Sequence, residues 1–136
     1  MTQSQHTDQT EANTTHNHAS EHSHEVPANA PLLEGNSPKD WEEQFGPSVA
    51  IFSALANPLR LAIAHHLMHR PHSVSELHTC LGISQPLASH HLRILREAHV
   101  IDREQQGRTT IYRLKDDHIS HIVVDVYEHT REHHAD

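Results

Sequence analysis

Hydrophobic and polar positions change their spacing several times along this chain, and each change predicts a different element. Up to about residue 36 there is almost no large apolar residue before Val26, and Thr, Gln, Asn, Ser, Glu and His dominate. A segment with so little to bury is expected to be a disordered tail. Pro27, Pro31 and Gly35 mark the linker after it. Helical spacing then begins. Ser37-Pro38 reads as a capping serine followed by Pro at the first helical position, with Trp41 and Phe45 as the apolar side. Gly46-Pro47 predicts a break or change of direction before a second segment carrying Val49, Phe52 and Leu55. Asn57-Pro58 starts another helix, in which Leu59, Ile63 and Leu67 recur at helical spacing.

Ser73-Val74-Ser75-Glu76 is a capping box, a hydroxyl at the cap and a carboxylate three residues on. The short helix it opens is expected to run to Leu81, where Gly82 supplies a left-handed stop. Ser84 caps the next helix, "SQPLASHHLRILREA". Two short helices joined by a tight Gly-containing turn form a helix-turn-helix. After Ala98 the period becomes alternating, so "VIDREQQGRTTIYRL" predicts a strand, a turn at Gln105-Gln106-Gly107 and a second strand. From Asp116 to about His133 there is no Gly or Pro and helical spacing returns. The expected fold is mainly α with a small β-hairpin: a winged helix-turn-helix over 37–136 behind a His-rich tail over 1–36.

On the helix after Ser84, Leu87, His91, Ile94, Leu95 and Ala98 are expected to share the apolar face. Gln85, Ser89, His90, Arg93 and Arg96 lie largely on the other, which is free of carboxylates until Glu97. Gln, Ser and Arg pair with base edges or phosphates, so Ser84, Gln85, Ser89, His90 and Arg93 are candidate DNA contacts. The hairpin tip adds Arg108 and Thr109, and Arg103 and Arg113 add positive charge nearby. His91 is expected to be a hydrogen-bonded histidine of the core side, and Cys80 a small buried residue. His65, His66, His69 and His72 are read as solvated, with an auxiliary metal site as the other reading.

Charge sharpens this picture. The net charge is −8, which taken alone opposes nucleic acid, but residues 44–115 carry eight Arg or Lys against four acids, between two acidic ends. Phosphate binding follows the local field, so a basic middle is compatible with DNA. One cysteine, no membrane-length apolar run and no signal-peptide pattern together predict a cytoplasmic protein without membrane association. The 18 histidines include His6, His16, His18, His22 and His24 in the tail, a biased solvated composition or a metal-capturing segment. No H-E-x-x-H motif or other catalytic constellation is present, and the chain is not expected to be an enzyme.

"FSALANPLRLAIAHHL", "VSELHTCLGISQPLASHHLRILREAHVI" and "QGRTTIYRL" resemble the ArsR/SmtB family of winged-helix repressors, over roughly Val49 to His133. The resemblance implies a homodimer, joined through its N- and C-terminal helices, on double-stranded operator DNA of two-fold symmetry.

The terminal stretch "DDHISHIVVDVYEHTREHH" holds five histidines and five acids around a short apolar core. At about 100° per residue, His118, His129 and Glu132 share one helical face, with Asp116 at or before the first turn. The rise from His118 to His129 is about 16 Å, so one helix cannot bring both ends to one metal. Two antiparallel copies can, with Asp116 and His118 of one chain meeting His129 and Glu132 of the other. Ile119, Ile122, Val123, Val126 and Tyr127 form an apolar stripe beside this face, able to pack on the domain and on its twin. Spacing alone leaves open a charged amphipathic helix with solvated histidines. The zinc sensors of the family carry an Asp-x-His pair and a His-x-x-Glu or His-x-x-His pair at these positions, and the resemblance therefore implies a Zn²⁺ site at Asp116, His118, His129 and Glu132. Two departures qualify it. "PHSVSEL" lacks the cysteine used by sensors of arsenic, cadmium or lead. His121 and His133, with His134 and Asp125, are extra donors, so Co²⁺ or Ni²⁺ in a larger shell is the alternative, and His133 could replace Glu132. The implied mechanism is release from operator DNA when metal binds, with His129 relaying the change to a backbone carbonyl near the end of the DNA-reading helix. A winged-helix regulator indifferent to metal is the other reading.

Overall fold

The computed structural model describes residues 34–134, together with Ala28. The expected tail over 1–36, with its five histidines, therefore lies almost wholly outside the described residues. The elements run α1 (Pro38–Leu55), α2 (Pro58–His69), β1 (His72–Ser73), α3 (Val74–Leu81), α4 (Gln85–Glu97), β2 (Ile101–Gln106), β3 (Thr109–Leu114) and α5 (Asp117–His133).

Local chemistry sets most boundaries. Ser37 and Asp40 form a reciprocal capping box at the start of α1, and Ser73 and Glu76 form one at the start of α3. The Asn57 side chain accepts from the Leu59 and Arg60 amides at 3.0 and 3.2 Å, and Pro58 follows at the first helical position. Against expectation, Gly46-Pro47 does not interrupt α1, which is one helix with Pro47 inside it. Proline costs about 3 kcal/mol in a helix interior. Residues 41–50 are all exposed, so solvent can satisfy the freed carbonyl, while Ile51, Ala54 and Leu55 anchor the following turns to the core. The chain then turns through 98° into α2.

Ile63, Leu77, Leu92, Leu95, Val100 and Ile101 are the largest fully buried side chains, drawn from α2, α3, α4 and the start of the hairpin. Ile119 and Val123 bring α5 onto this core. The strands form an antiparallel sheet in the order β1-β3-β2. β1 was not anticipated: His72 and Ser73 pair with Tyr112 and Ile111, and two residues are too few to show alternation. In the hairpin, Gln106 pairs with Thr109, so the turn is Gly107-Arg108 and not Gln105-Gln106-Gly107. Gly107, at φ 62°, fills the first turn position, where two-residue hairpins most need a positive φ.

Candidate nucleic-acid interface and terminal-helix cation ligands

The turn between α3 and α4 is held from both sides. Gly82 has φ 66° and stops α3, the Ile83 amide donates to the His78 carbonyl at 3.1 Å, and His78 Nδ1–H donates to the Ile83 carbonyl at 3.2 Å. Ser84 then caps α4 by accepting from the Leu87 amide at 3.3 Å. The buried face of α4 is Ala88, Leu92 and Leu95. This corrects the expected apolar set: Leu87 is 41% exposed, whereas Ala88 and Leu92, which are not in that set, are buried. On the polar face Ser84, Gln85, Ser89, His90 and Arg93 are exposed, and Arg96 is half-buried. Arg108 and Thr109 are exposed at the wing tip, where Gln105 donates to the Gly107 carbonyl and accepts from Thr110 Oγ1 at 2.7 Å.

Of the other basic residues, Arg113 lies 2.5 Å from Glu104 and Lys115 3.1 Å from Asp102. Arg113 is thus neutralised within the wing and adds little to the field at α4, contrary to expectation. Arg60 was missed by the sequence reading. A cation in the first turn of a helix is disfavoured by the dipole, which is the signal that it serves another purpose. Its Nε donates to the Ala54 carbonyl at the end of α1, and its Nη1 donates to His91 Nδ1 at 3.4 Å. His91 is therefore hydrogen-bonded, as expected, though only partly buried. Burial, then the charges of Arg60 and His90, hold its pKa below the usual histidine value.

Two expectations fail nearby. Cys80 is exposed, on the outward side of α3. His72 is buried, not solvated, and its Nδ1–H donates to the Arg70 carbonyl at 2.7 Å. Burial and the charges of His72, His65 and His69 lower the pKa of His66. Among the described residues, no three or more His, Cys, Asp or Glu side chains converge to hold a metal, so the auxiliary site has no geometry within one chain.

On α5, Asp116 is the N-cap, its Oδ1 accepting from the Ile119 amide at 3.1 Å. A carboxylate has a second oxygen, so capping fixes Asp116 in place without exhausting it as a donor. His118, His121, His129, Glu132 and His133 are all exposed. The rings of His129 and His133 lie 4.4 Å apart, one helical turn from each other. Ile119 and Val123 face inward, while Val126 and Tyr127 remain 53% and 50% exposed, so the apolar stripe divides between the core and the outside. One chain brings Asp116 and His118 together at one end of the helix and His129, Glu132 and His133 at the other. These donors do not converge on one cation within a single chain among the described residues. Among the described residues no hydrogen bond joins His129 to α4, and α5 packs on α2 and β3.

A capped helix-turn-helix with an outward polar second helix, followed by a two-stranded wing, defines a winged helix-turn-helix domain. Comparison with known proteins agrees. Residues 57–103 match the family described as bacterial regulatory protein, arsR family. The chain is 44% identical over 82 residues to the HTH-type transcriptional repressor SmtB of Mycobacterium tuberculosis, covering 60% of this chain and 61% of that protein. It is 36% identical over 104 residues to the biofilm growth-associated repressor of Agrobacterium fabrum, covering 76% and 89%. A homodimeric winged helix-turn-helix DNA-binding domain from Mycobacterium bovis, 20% identical, superposes with a TM-score of 0.65 over 76% of this chain and 94% of that one. The chain belongs to the arsR family of bacterial regulatory proteins. It spans about three-fifths of the length of the mycobacterial repressor it matches.

Proposed function

We propose that this protein is a cytoplasmic, metal-responsive transcriptional repressor that binds operator DNA as a homodimer when metal-free and leaves it when Zn²⁺ binds between the C-terminal helices. The observation that carries the reading is the division of the molecule into two outward surfaces. One is the polar face of α4 with the wing tip. The other is α5, whose N/O donors are exposed and separated by the length of the helix.

Ser84, Gln85, Ser89, His90 and Arg93 enter the major groove on α4, and Arg108 and Thr109 reach the backbone or minor groove from the wing. Dimerisation uses the apolar residues left outside: Trp41, Phe45, Val49 and Phe52 within one arc of α1, and Val126 and Tyr127 on α5. Antiparallel pairing of α5 places Asp116 and His118 of one protomer beside His129 and Glu132 of its partner, giving two equivalent sites. Asp116 and His118 of one protomer with His129 and Glu132 of its partner would hold Zn²⁺, which would cross-link the two helices and favour one relative orientation of the protomers. His121 and His133 lie close enough along α5 to enlarge the donor set for Co²⁺ or Ni²⁺, and His133 stands in the right place to substitute for Glu132. Because α5 packs on α2 and β3, a change in α5 pairing moves the domain body and the wing together. Release requires the liganded dimer shape to disfavour DNA, since a ligand indifferent to the two shapes shifts nothing.

The test is a gel-shift titration with and without Zn²⁺. Operator affinity should fall about 10- to 100-fold in zinc, a coupling of about 1.4–2.7 kcal/mol. His118→Ala and His129→Ala should keep metal-free affinity and lose the response. A zinc-independent wild type would leave a DNA-binding regulator without this sensor.

A further inference from the structure

The two faces of the wing differ in charge compensation. On one face Asp102, Glu104, Arg113 and Lys115 neutralise one another through the two ion pairs described above. The opposite face carries Arg103 and Tyr112, which pair directly across the ladder. That face looks toward α4. Between them lies a cleft of about 220 Å³ lined by Ser89, Arg93, Arg96, Arg103 and Tyr112. Among the described residues none of its three arginines makes an ion pair, whereas Arg70, Arg113 and Lys115 each do. Glu97, the one carboxylate on α4, does not line it. Three arginines lining one cleft that no carboxylate lines make its field positive, which favours an anion with several acceptor oxygens. Guanidinium forks fit such oxygens two at a time, and the hydroxyls of Ser89 and Tyr112 add two neutral donors.

We propose that this cleft is a phosphate seat, which grips one backbone phosphodiester of the DNA strand running between the DNA-reading helix and the wing. The assignment rests on the DNA-binding reading above and gives Arg96, Arg103 and Tyr112 a role separate from base reading. A phosphodiester is the same in every sequence, so the seat sets affinity and the depth of insertion of α4, and it carries no preference among sequences. Gln85, on the exposed start of α4 and outside the cleft, belongs to base reading instead.

The test uses the full-length protein, a duplex selected by it from a random pool, and a scrambled duplex, with affinity read by fluorescence anisotropy across a salt series. Arg96→Ala and Arg103→Ala should each weaken both duplexes by the same factor, on the order of 10-fold. Each should also reduce the slope of log affinity against log salt by about 1. Arg103→Lys should restore the slope and only part of the affinity, and Tyr112→Phe should weaken both duplexes equally without changing the slope. Gln85→Ala should instead narrow the gap between the two duplexes. Far-UV circular dichroism and melting identify any misfolded variant, and Arg103 is exposed, so its replacement leaves the core intact. If wild type prefers the selected duplex but Arg96→Ala and Arg103→Ala match it in affinity and slope, the phosphate seat is wrong and DNA reading stands. If wild type binds no duplex, both fall. Calorimetric titration with inorganic phosphate separates the sources: binding lost in Arg103→Ala while DNA affinity is unchanged would make the cleft a site for a free anion and overturn the backbone assignment.

Discussion

His91 Nδ1 accepts a hydrogen bond from Arg60, a residue that is always charged, so protonating that nitrogen both removes the acceptor and sets two cations together. Burial is the first cause that disfavours the charged His91 ring, and His66 is likewise lowered by burial and then by its neighbours His72, His65 and His69. Both pKa values are lowered in the folded state, so the unfolded chain binds these protons more readily. Stability from this source is full above the unfolded value of about 6.5 and is lost as pH falls from there through the depressed folded values. Thermal melts should therefore show Tm falling on acidification below about pH 6.5, and His91→Gln should flatten part of that fall. An unchanged pH profile in His91→Gln would show that protonation of His91 carries no weight in stability. At this scale the sequence was readable wherever the partner is near in the chain. Ser37, Asn57, Ser73, Gly82 and Ser84 act within a few residues and were identified from spacing. The Arg60–His91 pair spans 31 positions, and no local pattern reports it. Cys80 and His72 were misjudged for the same reason, because residue type gives a preference while neighbouring elements decide burial.

Among the elements, α4 shows what periodicity can and cannot deliver. Its existence, cap and polar face were legible, and its inward face was read out of phase because Ala88 is small enough to look neutral in sequence yet is fully buried. β1 is invisible in the sequence at two residues, and Gly46-Pro47 signals a break that α1 does not make because the exposed side of the helix tolerates Pro47. The four apolar residues along α1 make a further expectation. Trp41, Phe45, Val49 and Phe52 form an exposed stripe on a helix whose inner side already packs on the core through Ala54 and Leu55. Burying such side chains is worth about 1.5–3 kcal/mol each. Phe52→Glu should convert the dimer to monomer in sedimentation velocity and weaken operator binding at least about 10-fold, since a single half-site forfeits the second recognition helix. A Phe52→Glu protein that sediments as a dimer would place the interface elsewhere.

For the whole molecule, the distribution of charge matters more than its sum. The net charge of −8 hides a middle region with an excess of basic residues; among the described residues those there without an ion pair are Arg93 and Arg96 on α4, Arg103 and Arg108 on the wing, and Arg60 on α2. The acidic donors at the C-terminus belong to another surface. The fold was legible because the winged helix-turn-helix is punctuated by caps and turns that act locally. The proposed cation ligands are legible only as a spacing, because among the described residues of one chain they do not converge.

The central claim is that each cation takes ligands from both protomers, and mixing two crippled chains tests it directly. One variant carries Asp116→Ala with His118→Ala, the other His129→Ala with Glu132→Ala. Each homodimer has only half of every ligand set and should fail to bind Zn²⁺ tightly in competition titrations. Refolded together, about half the dimers are mixed by random pairing, and each mixed dimer regains one complete site. The account predicts recovery of tight zinc binding on mixing, at one ion per mixed dimer. Undiminished zinc affinity in either variant alone, or no recovery in the mixture, would contradict it.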